Sequence, residues 1–267
     1  MTAYAAKRLP VHEGPAAWNS ILGPQAAPQP LSEDSTADFV VVGAGFAGLS
    51  AARRLMQLHP TARVVVLEAG RLAEGSAGRN SGFMIDLPHD LNSETYAGGQ
   101  EQDLTQIHLN RAAIDFARDM AEEFEMPTAV FDPCGKVSGA ASDRGEKHLN
   151  SYIGHLKNLD EAHRVLNAAD MKEMTGIDFY RKGLFTPGAV MIQPAAFIRH
   201  AARGLSDRVS IYEKSPVVEM SLGDDHLLTT PRGQVRAKGV ILAVNGHVQS
   251  FGFFPRQLLH VFTFASM

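Results

Sequence analysis

The chain has 267 residues, enough for one or two domains with a sizeable core. Its 45% hydrophobic and 20% charged content is that of a soluble globular protein, and a net charge of −4 argues against nucleic acid or an anionic membrane as partner. No apolar run reaches the ~18 residues a spanning helix needs, and Met1–Leu9 carries Lys7 and Arg8 with no apolar stretch behind them. Neither a membrane segment nor a secretory leader is expected, and the cytoplasm is the default location. The single Cys134 has no partner for an internal disulfide and reads as a packed or turn thiol.

Residues 1–37 are rich in Pro, Ala and Gln, lack sustained periodicity, and read as an extended N-terminal arm or a wrapping segment. The pattern changes at Asp38. Phe39-Val40-Val41-Val42 reads as a buried strand, and Gly43-Ala44-Gly45-Phe46-Ala47-Gly48 as a glycine turn that opens a helix. Arg63-Val64-Val65-Val66-Leu67 is a second strand, ending at Glu68, 20 residues past Gly48. A dinucleotide site needs these parts in this order. Gly43 permits the tight turn, Gly45 lets the backbone approach a pyrophosphate, and Gly48 lets the helix pack close to the sheet. The helix start offers N–H groups and a positive dipole end to the phosphates. Glu68 stands where a carboxylate can accept hydrogen bonds from ribose hydroxyls. In the helix, Gly48, Ala51, Ala52 and Leu55 fall on one face for the sheet, Arg53, Arg54 and Gln57 read as solvated, and Pro60 ends the run.

Residues 74–82, Glu-Gly-Ser-Ala-Gly-Arg-Asn-Ser-Gly, form a small-residue loop. A helix is predicted from Leu104 to Phe124, with Ile107, Ala113, Ile114, Ala117 and Met120 toward a core. Short strands are predicted at Thr128–Phe131 and Lys136–Ala140, then a helix over Asp143–Leu159 with Leu149, Ile153 and Leu156 apolar. Gly183–Ile192 reads as a hairpin turned at Pro187-Gly188. Pro194 opens a helix running to about Gly204. Strands return at Val209–Tyr212, Val217–Leu222, Leu227–Thr230 and Val240–Val244. Nucleotide-layer strands therefore come back after an insert. The expected division is an arm (1–37), a first nucleotide-binding part (38–100), a mainly substrate-binding part with inserted helices (101–193), a nucleotide-binding return (194–250), and the start of a further substrate-domain strand (251–267).

Taken together, Asp38–Gly48, Glu68, Gly78-Arg79-Asn80-Ser81-Gly82 and Gly239-Val240-Ile241-Leu242-Ala243-Val244-Asn245-Gly246 resemble the FAD-dependent amine and amino-acid oxidases of the D-amino-acid-oxidase and glycine-oxidase superfamily. The nearest look is to the gamma-glutamylputrescine oxidase branch. The loop around Arg79-Asn80 carries more of this likeness than the glycines do. The resemblance implies an α/β fold, a Rossmann-like FAD-binding domain interleaved with an α+β substrate domain built on an antiparallel sheet. It implies that Gly43, Gly45 and Gly48, with Phe46 and Ala47 at the helix start, meet the FAD pyrophosphate. Glu68, with Ala69 and Arg71 behind it, would hold the adenosine ribose end. Gly78, Arg79, Asn80 and Ser81 would lie along the pyrophosphate and the flavin's inner edge. Val217 would present its backbone to the adenine, and Ala243, Asn245 and Gly246 would close over the nucleotide.

The chain departs from the family pattern at two places. Many relatives carry a serine where this chain has Ala77, so a side-chain hydroxyl contact to the cofactor is expected to be missing. No histidine or cysteine linkage pattern of the covalent-flavin relatives is evident either, and FAD is expected to be held tightly but non-covalently. Relatives also continue past the position of Met267, and Leu259, Val261, Phe262 and Phe264 give the last residues, Leu259–Ala265, the look of an apolar strand. A second polypeptide completing the C-terminal part of the fold, as a cleavage product or separate subunit, is the expectation.

The implied reaction is oxidation of an amine or amino acid at its C–N bond to an imine, with molecular oxygen as acceptor and hydrogen peroxide released. The catalytic residues are not legible. No metal site is expected, since His148, His155 and His163 lie on polar helical ground and read as a solvated face. His247 and His260 lie nearer the cofactor region, and structural roles are expected of both. Three alternatives stand: a flavin dehydrogenase of a 2-hydroxy acid, an NAD(P)-binding protein, and a non-catalytic FAD-binding subunit of a two-chain enzyme.

Overall fold

The structure is a computed structural model and describes residues 2–12, 14–88 and 100–261. In chain order the elements are β1 (Thr2–Ala5), α1 (Ala17–Ser20), β2 (Ser35–Val42), α2 (Phe46–Leu58), β3 (Val64–Leu67), β4 (Phe83–Met84), α3 (Gln100–Glu123), β5 (Phe131–Asp132), β6 (Lys136–Ala140), α4 (Asp143–Asn158), β7 (Arg164–Asn167), α5 (Ala168–Thr175), β8 (Lys182–Thr186), β9 (Val190–Ile192), α6 (Pro194–Leu205), β10 (Val209–Tyr212), β11 (Glu219–Leu222), β12 (His226–Thr229) and β13 (Gln234–Leu242). Short 3₁₀ turns cover Ser76–Gly78 and Asn245–Phe251. The chain divides into two compact units: Met1–Ser81 with Gln193–Met267, and Gly82–Ile192.

The first unit is built on a seven-stranded sheet of order β1-β11-β12-β13-β2-β3-β10. β13, β2, β3 and β10 run parallel, and β11 and β12 are antiparallel to their neighbours. The all-aliphatic run of β3 is buried at every position, as a strand covered on both faces requires. Alternate residues of β2 separate the two layers. Val40 and Val42 join Val65, Leu67, Met220, Leu228 and Val235 in one core cluster. Burying each such side chain stabilises the fold by roughly 1.5–3 kcal/mol. In α2 the buried positions are Gly48, Leu49, Ala52, Arg53 and Met56. The packed stripe is thus rotated from the expected one, and Arg53 is buried rather than solvated.

Several strand limits differ from those read in the sequence. β2 starts three residues before Asp38, and β13 starts at Gln234 rather than Val240, because the two pair in register from Ser35↔Val235 onward. The arm contributes β1, which pairs antiparallel with β11, and Tyr4 stacks on Phe253 at 4.7 Å between ring centroids. Val217 precedes β11 instead of opening it. Leu259 to Val261 are exposed and not in a strand; the rest of that predicted strand lies outside the described residues.

The second unit has two three-stranded antiparallel sheets, β4-β9-β5 and β6-β8-β7. The predicted hairpin across Pro187-Gly188 is not formed: β8 and β9 belong to different sheets. Each strand is taken by other partners: β8 pairs with β6 and β7, and β9 with β4 and β5, while Gly188 between them sits so close to Asp86 that a Cβ would meet its carboxylate at 2.0 Å. The turn packs on Asp86 and hands the chain from one sheet to the other. The strand predicted from Thr128 begins only at Phe131, because Pro127 starts a turn closed by the Val130 N–H on its carbonyl at 2.7 Å. α3 begins four residues before Leu104 and buries Ile107, Ile114 and Met120, while Ala113 faces out. β7 and α5 were not read in the sequence; Asn167 and Asp170 cap α5 reciprocally, and Gly176 ends it at φ 77°.

Charge is buried inside this unit. Asp86 is 1% exposed, and its Oδ2 accepts from Arg111 Nη2 at 3.0 Å. Arg111 also reaches Glu161 at 2.6 Å, and Glu161 and Asp86 together hold its guanidinium pKa above the ordinary value. His155 Nε2 lies 3.0 Å from Asp103 Oδ2. His148, His155 and His163 are all half-buried, so the solvated face expected for them is corrected. The spacing gave no hint of Asp103, which approaches from α3. Among the described residues, no helix is long and apolar enough to cross a membrane, and no group of three or more His, Cys, Asp or Glu is placed to hold a metal. Cys134 is an exposed turn thiol.

Candidate nucleotide site

The glycine turn sits at the C-terminal ends of three adjacent parallel strands. β2 is flanked by β3 on one side and β13 on the other, so the strand order reverses there and a crevice opens beyond the strand ends. Gly43 has φ 101°, donates its N–H to the Leu67 carbonyl at 2.8 Å, and would drive a Cβ to 2.6 Å from the Ala243 carbonyl oxygen. Gly48 is equally restricted, since a Cβ there would lie 1.8 Å from the Gly43 oxygen. These two glycines serve the packing of strand, turn and helix. Gly45 differs. Among the described residues, its missing Cβ would touch only the Ala77 methyl, at 3.3 Å. It is the N-cap of α2 and supplies no side-chain cap, so the first N–H groups of the helix, at Phe46 and Ala47, are left to an outside acceptor.

Glu68 is held in place by backbone. Its Oε2 accepts from the Ala44 N–H at 2.8 Å and its Oε1 from the Gly70 N–H at 2.9 Å. An ionised carboxylate has about four acceptor positions, so two remain for hydroxyl donors. Ala69 follows half-buried. Val217 lies near this end with its side chain in the core cluster, which leaves its backbone as the part that can meet a ligand. Ala243 forms the opposite wall, its N–H bonded to the Val42 carbonyl at 2.8 Å. Asn245 takes φ 51° at the start of the 3₁₀ turn, and Gly246 beside it leaves room that a Cβ would close to 3.1 Å from His260 Nε2. His247 Nε2 is bonded to the Arg8 carbonyl at 2.8 Å, the structural role expected of it.

The loop over residues 71–81 behaves differently from a row of free ligand donors. Arg71 donates through Nε to Glu213 at 3.0 Å and through Nη2 to the Ala26 carbonyl. Arg79 donates through Nε to the Glu74 carbonyl and through Nη2 to the Gly14 carbonyl, both at 2.7 Å. Gly78 is buried against Ala73, whose oxygen a Cβ would meet at 2.0 Å. Asn80 bonds its side-chain amide to the Ala77 carbonyl and accepts the Trp18 indole N–H on its own carbonyl, again at 2.7 Å each. Ser81 is exposed. Sequence reasoning missed Trp18 and Asn19 as parts of this region, while Ala77 was read as a position beside the cofactor. The lone tryptophan in a Pro- and Ala-rich arm was the one available sign.

A family model described as FAD dependent oxidoreductase matches residues 38–264. The chain belongs to that family. Its cofactor is FAD, and the crevice fits a dinucleotide in three respects: the open side of Gly45, the uncapped start of α2, and the half-used carboxylate of Glu68. The chain is 27% identical over 243 residues to the oxidoreductase OrdL of Haemophilus influenzae, covering 86% of this chain and 53% of that protein. It is 26% identical over 231 residues to the gamma-glutamylputrescine oxidoreductase of Escherichia coli, covering 82% and 51%. The chain thus spans about half the length of these curated relatives. In fold it is similar to glycine oxidase from Geobacillus kaustophilus, with a TM-score of 0.66 at 17% identity over 81% of this chain and 57% of that one.

Proposed function

We propose that this flavoprotein oxidises the C–N bond of an amine or amino acid to an imine, with oxygen as acceptor and hydrogen peroxide as co-product. The observation that carries the cofactor half of this reading is Glu68, fixed by two backbone N–H groups at the end of β3 with acceptor positions to spare. What supports the donor class is the activity of proteins this chain is similar to, an oxidoreductase of gamma-glutamylputrescine and, in fold, a glycine oxidase. FAD, when bound, supplies the two-electron chemistry. The chain's residues bind and orient. Gly43, Gly45 and Gly48, with the N–H groups of Phe46 and Ala47, take the pyrophosphate without a side chain in the way. Glu68 and Ala69 hold the ribose, and the Val217 backbone meets the adenine. Ala243, Asn245 and Gly246 close the opposite wall. Gly78, Asn80 and Ser81 line the inner edge, while Arg71 and Arg79 act through the loop they hold. Attachment is non-covalent.

The test is a donor screen on FAD-loaded protein under nitrogen. Primary and secondary amines and amino acids are expected to bleach the flavin absorbance, and readmitted oxygen to restore it with peroxide formed. Bleaching by 2-hydroxy acids alone would overturn the donor class while leaving the cofactor site intact.

A further inference from the structure

Resting on the cofactor reading above, we propose that residues 14–26 form a strap that holds the 71–81 loop in its cofactor-facing shape, with Trp18 and Asn19 as positioning residues. The bonds between the two segments run both ways. The loop's carbonyls are answered from the strap: Trp18 Nε1 donates to Asn80 at 2.7 Å, Asn19 Nδ2 to Ala73 at 3.0 Å, and Gln25 Nε2 to Leu72 at 3.0 Å. The strap's carbonyls are answered from the loop, by Arg79 at Gly14 and Arg71 at Ala26. Neither segment has a helix or strand ladder long enough to satisfy these groups by itself, so each orders the other. The strap is in turn anchored to α6. Gln193 donates to the Trp18 carbonyl at 3.0 Å, Arg199 donates to the Gly23 carbonyl at 2.8 Å, and Ala16 is 1% exposed.

Two further features make the loop dependent on this support. Ala73 is buried with φ 61°, a conformation an alanine keeps only when its surroundings dictate it, and the Asn19 amide grips its carbonyl. Ala77, in the middle of the loop, is the neighbour that walls Gly45. A loop that relaxes would therefore move the wall of the pyrophosphate crevice.

The experiment uses the full chain with Trp18→Phe, which keeps an aromatic ring but removes the indole N–H together with the five-membered ring that carries it, and Asn19→Ala, which removes the other donor without touching the aromatic packing. Hydrogen–deuterium exchange without FAD reads the loop directly, because the amides of Leu72, Glu74, Gly78 and Arg79 are hydrogen-bonded in it. Exchange at these amides is expected to be about tenfold faster in each variant, and release of bound FAD about five- to tenfold faster than from the parent chain. Unchanged exchange in both variants overturns the strap. Faster exchange with unchanged FAD release overturns its link to the cofactor. A parent chain that retains no FAD overturns the cofactor reading, and the exchange comparison, made without FAD, then decides the strap on its own.

Discussion

The two compact units treat charge in opposite ways. In the first, the sheet core is aliphatic, and the carboxylate at its edge, Glu68, is met by backbone N–H groups that leave acceptor capacity unused. In the second, carboxylates go inside. Asp86 and Asp103 are 1% and 4% exposed and are met by side chains from distant parts of the chain, Arg111 and His155. The first arrangement keeps a charge ready for a ligand. The second uses charge to tie together strands of two to five residues and the helices beside them. Asp86 is the extreme case, with one oxygen on Arg111 and the other, Oδ1, without a hydrogen-bond partner among the described residues.

The contrast breaks most clearly at Arg111. Arg111→Met leaves Asp86 buried with its main partner gone. Removing one member of a buried pair costs about 3–5 kcal/mol, and because the Arg111 side chain is 45% exposed the lower end, about 3 kcal/mol, is expected. Chemical denaturation read by circular dichroism measures it. Asp86→Leu combined with Arg111→Met should recover part of the loss, since the buried Asp86 is then no longer stranded and only Glu161 is left without its partner. A double variant as unstable as the single one would show that the pair does not act as a pair.

The same contrast explains what could be read from the residues alone. The parallel core was legible because its information is local: Val40-Val41-Val42, the three glycines and Val64-Val65-Val66 each declare a strand or turn within a few residues. Glu68 was legible by its distance from Gly48. The second unit hides its determinants in pairs far apart in sequence. Nothing near Pro187-Gly188 announces that the strands on either side pair with β4, β5, β6 and β7 instead of each other, and nothing around His155 points to Asp103. The strap was illegible for a related reason. Its contacts are side chain to carbonyl, and carbonyls carry no sequence label, so a wrapping segment could be read from the composition but not that Trp18 and Asn19 are the residues that grip the loop.

Gly45 tests whether the first unit's open crevice is kept open for a ligand. Gly45→Val places a side chain in the space beside Ala77. Because that space is otherwise clear of described residues, stability should fall by only about 1 kcal/mol, from crowding at 3.3 Å and a poorer N-cap. FAD retention through gel filtration, read at the flavin absorbance, should be lost. A folded variant that stays fully yellow would remove Gly45 from the pyrophosphate site. The large loss of function against a small loss of stability is the reverse of the Arg111 expectation.

The smallest effect is expected at Glu74, the first unit's counterpart to Asp86. Its Oε2 accepts from the Arg71 N–H at 2.9 Å and from Lys214 Nζ at 3.3 Å. Burial pushes its pKa up, but the Arg71 N–H and the Lys214 charge outweigh that and hold it below the ordinary 4.5. A carboxyl lowered in the folded state adds stability in full above its unfolded pKa and loses it as pH falls through the folded value. The side chain is 35% exposed, so solvent screens the pair and the contribution is a few tenths of a kcal/mol, about what an exposed pair gives. Glu74→Gln keeps an oxygen for the Arg71 N–H and removes the charge. The difference in melting temperature between parent and variant should be present at pH 7 and shrink as pH falls below the ordinary 4.5 and through the lowered folded-state pKa. A difference that stayed constant over that range would mean that the charge of Glu74 contributes nothing, and that the loop is held by its carbonyl bonds to the strap.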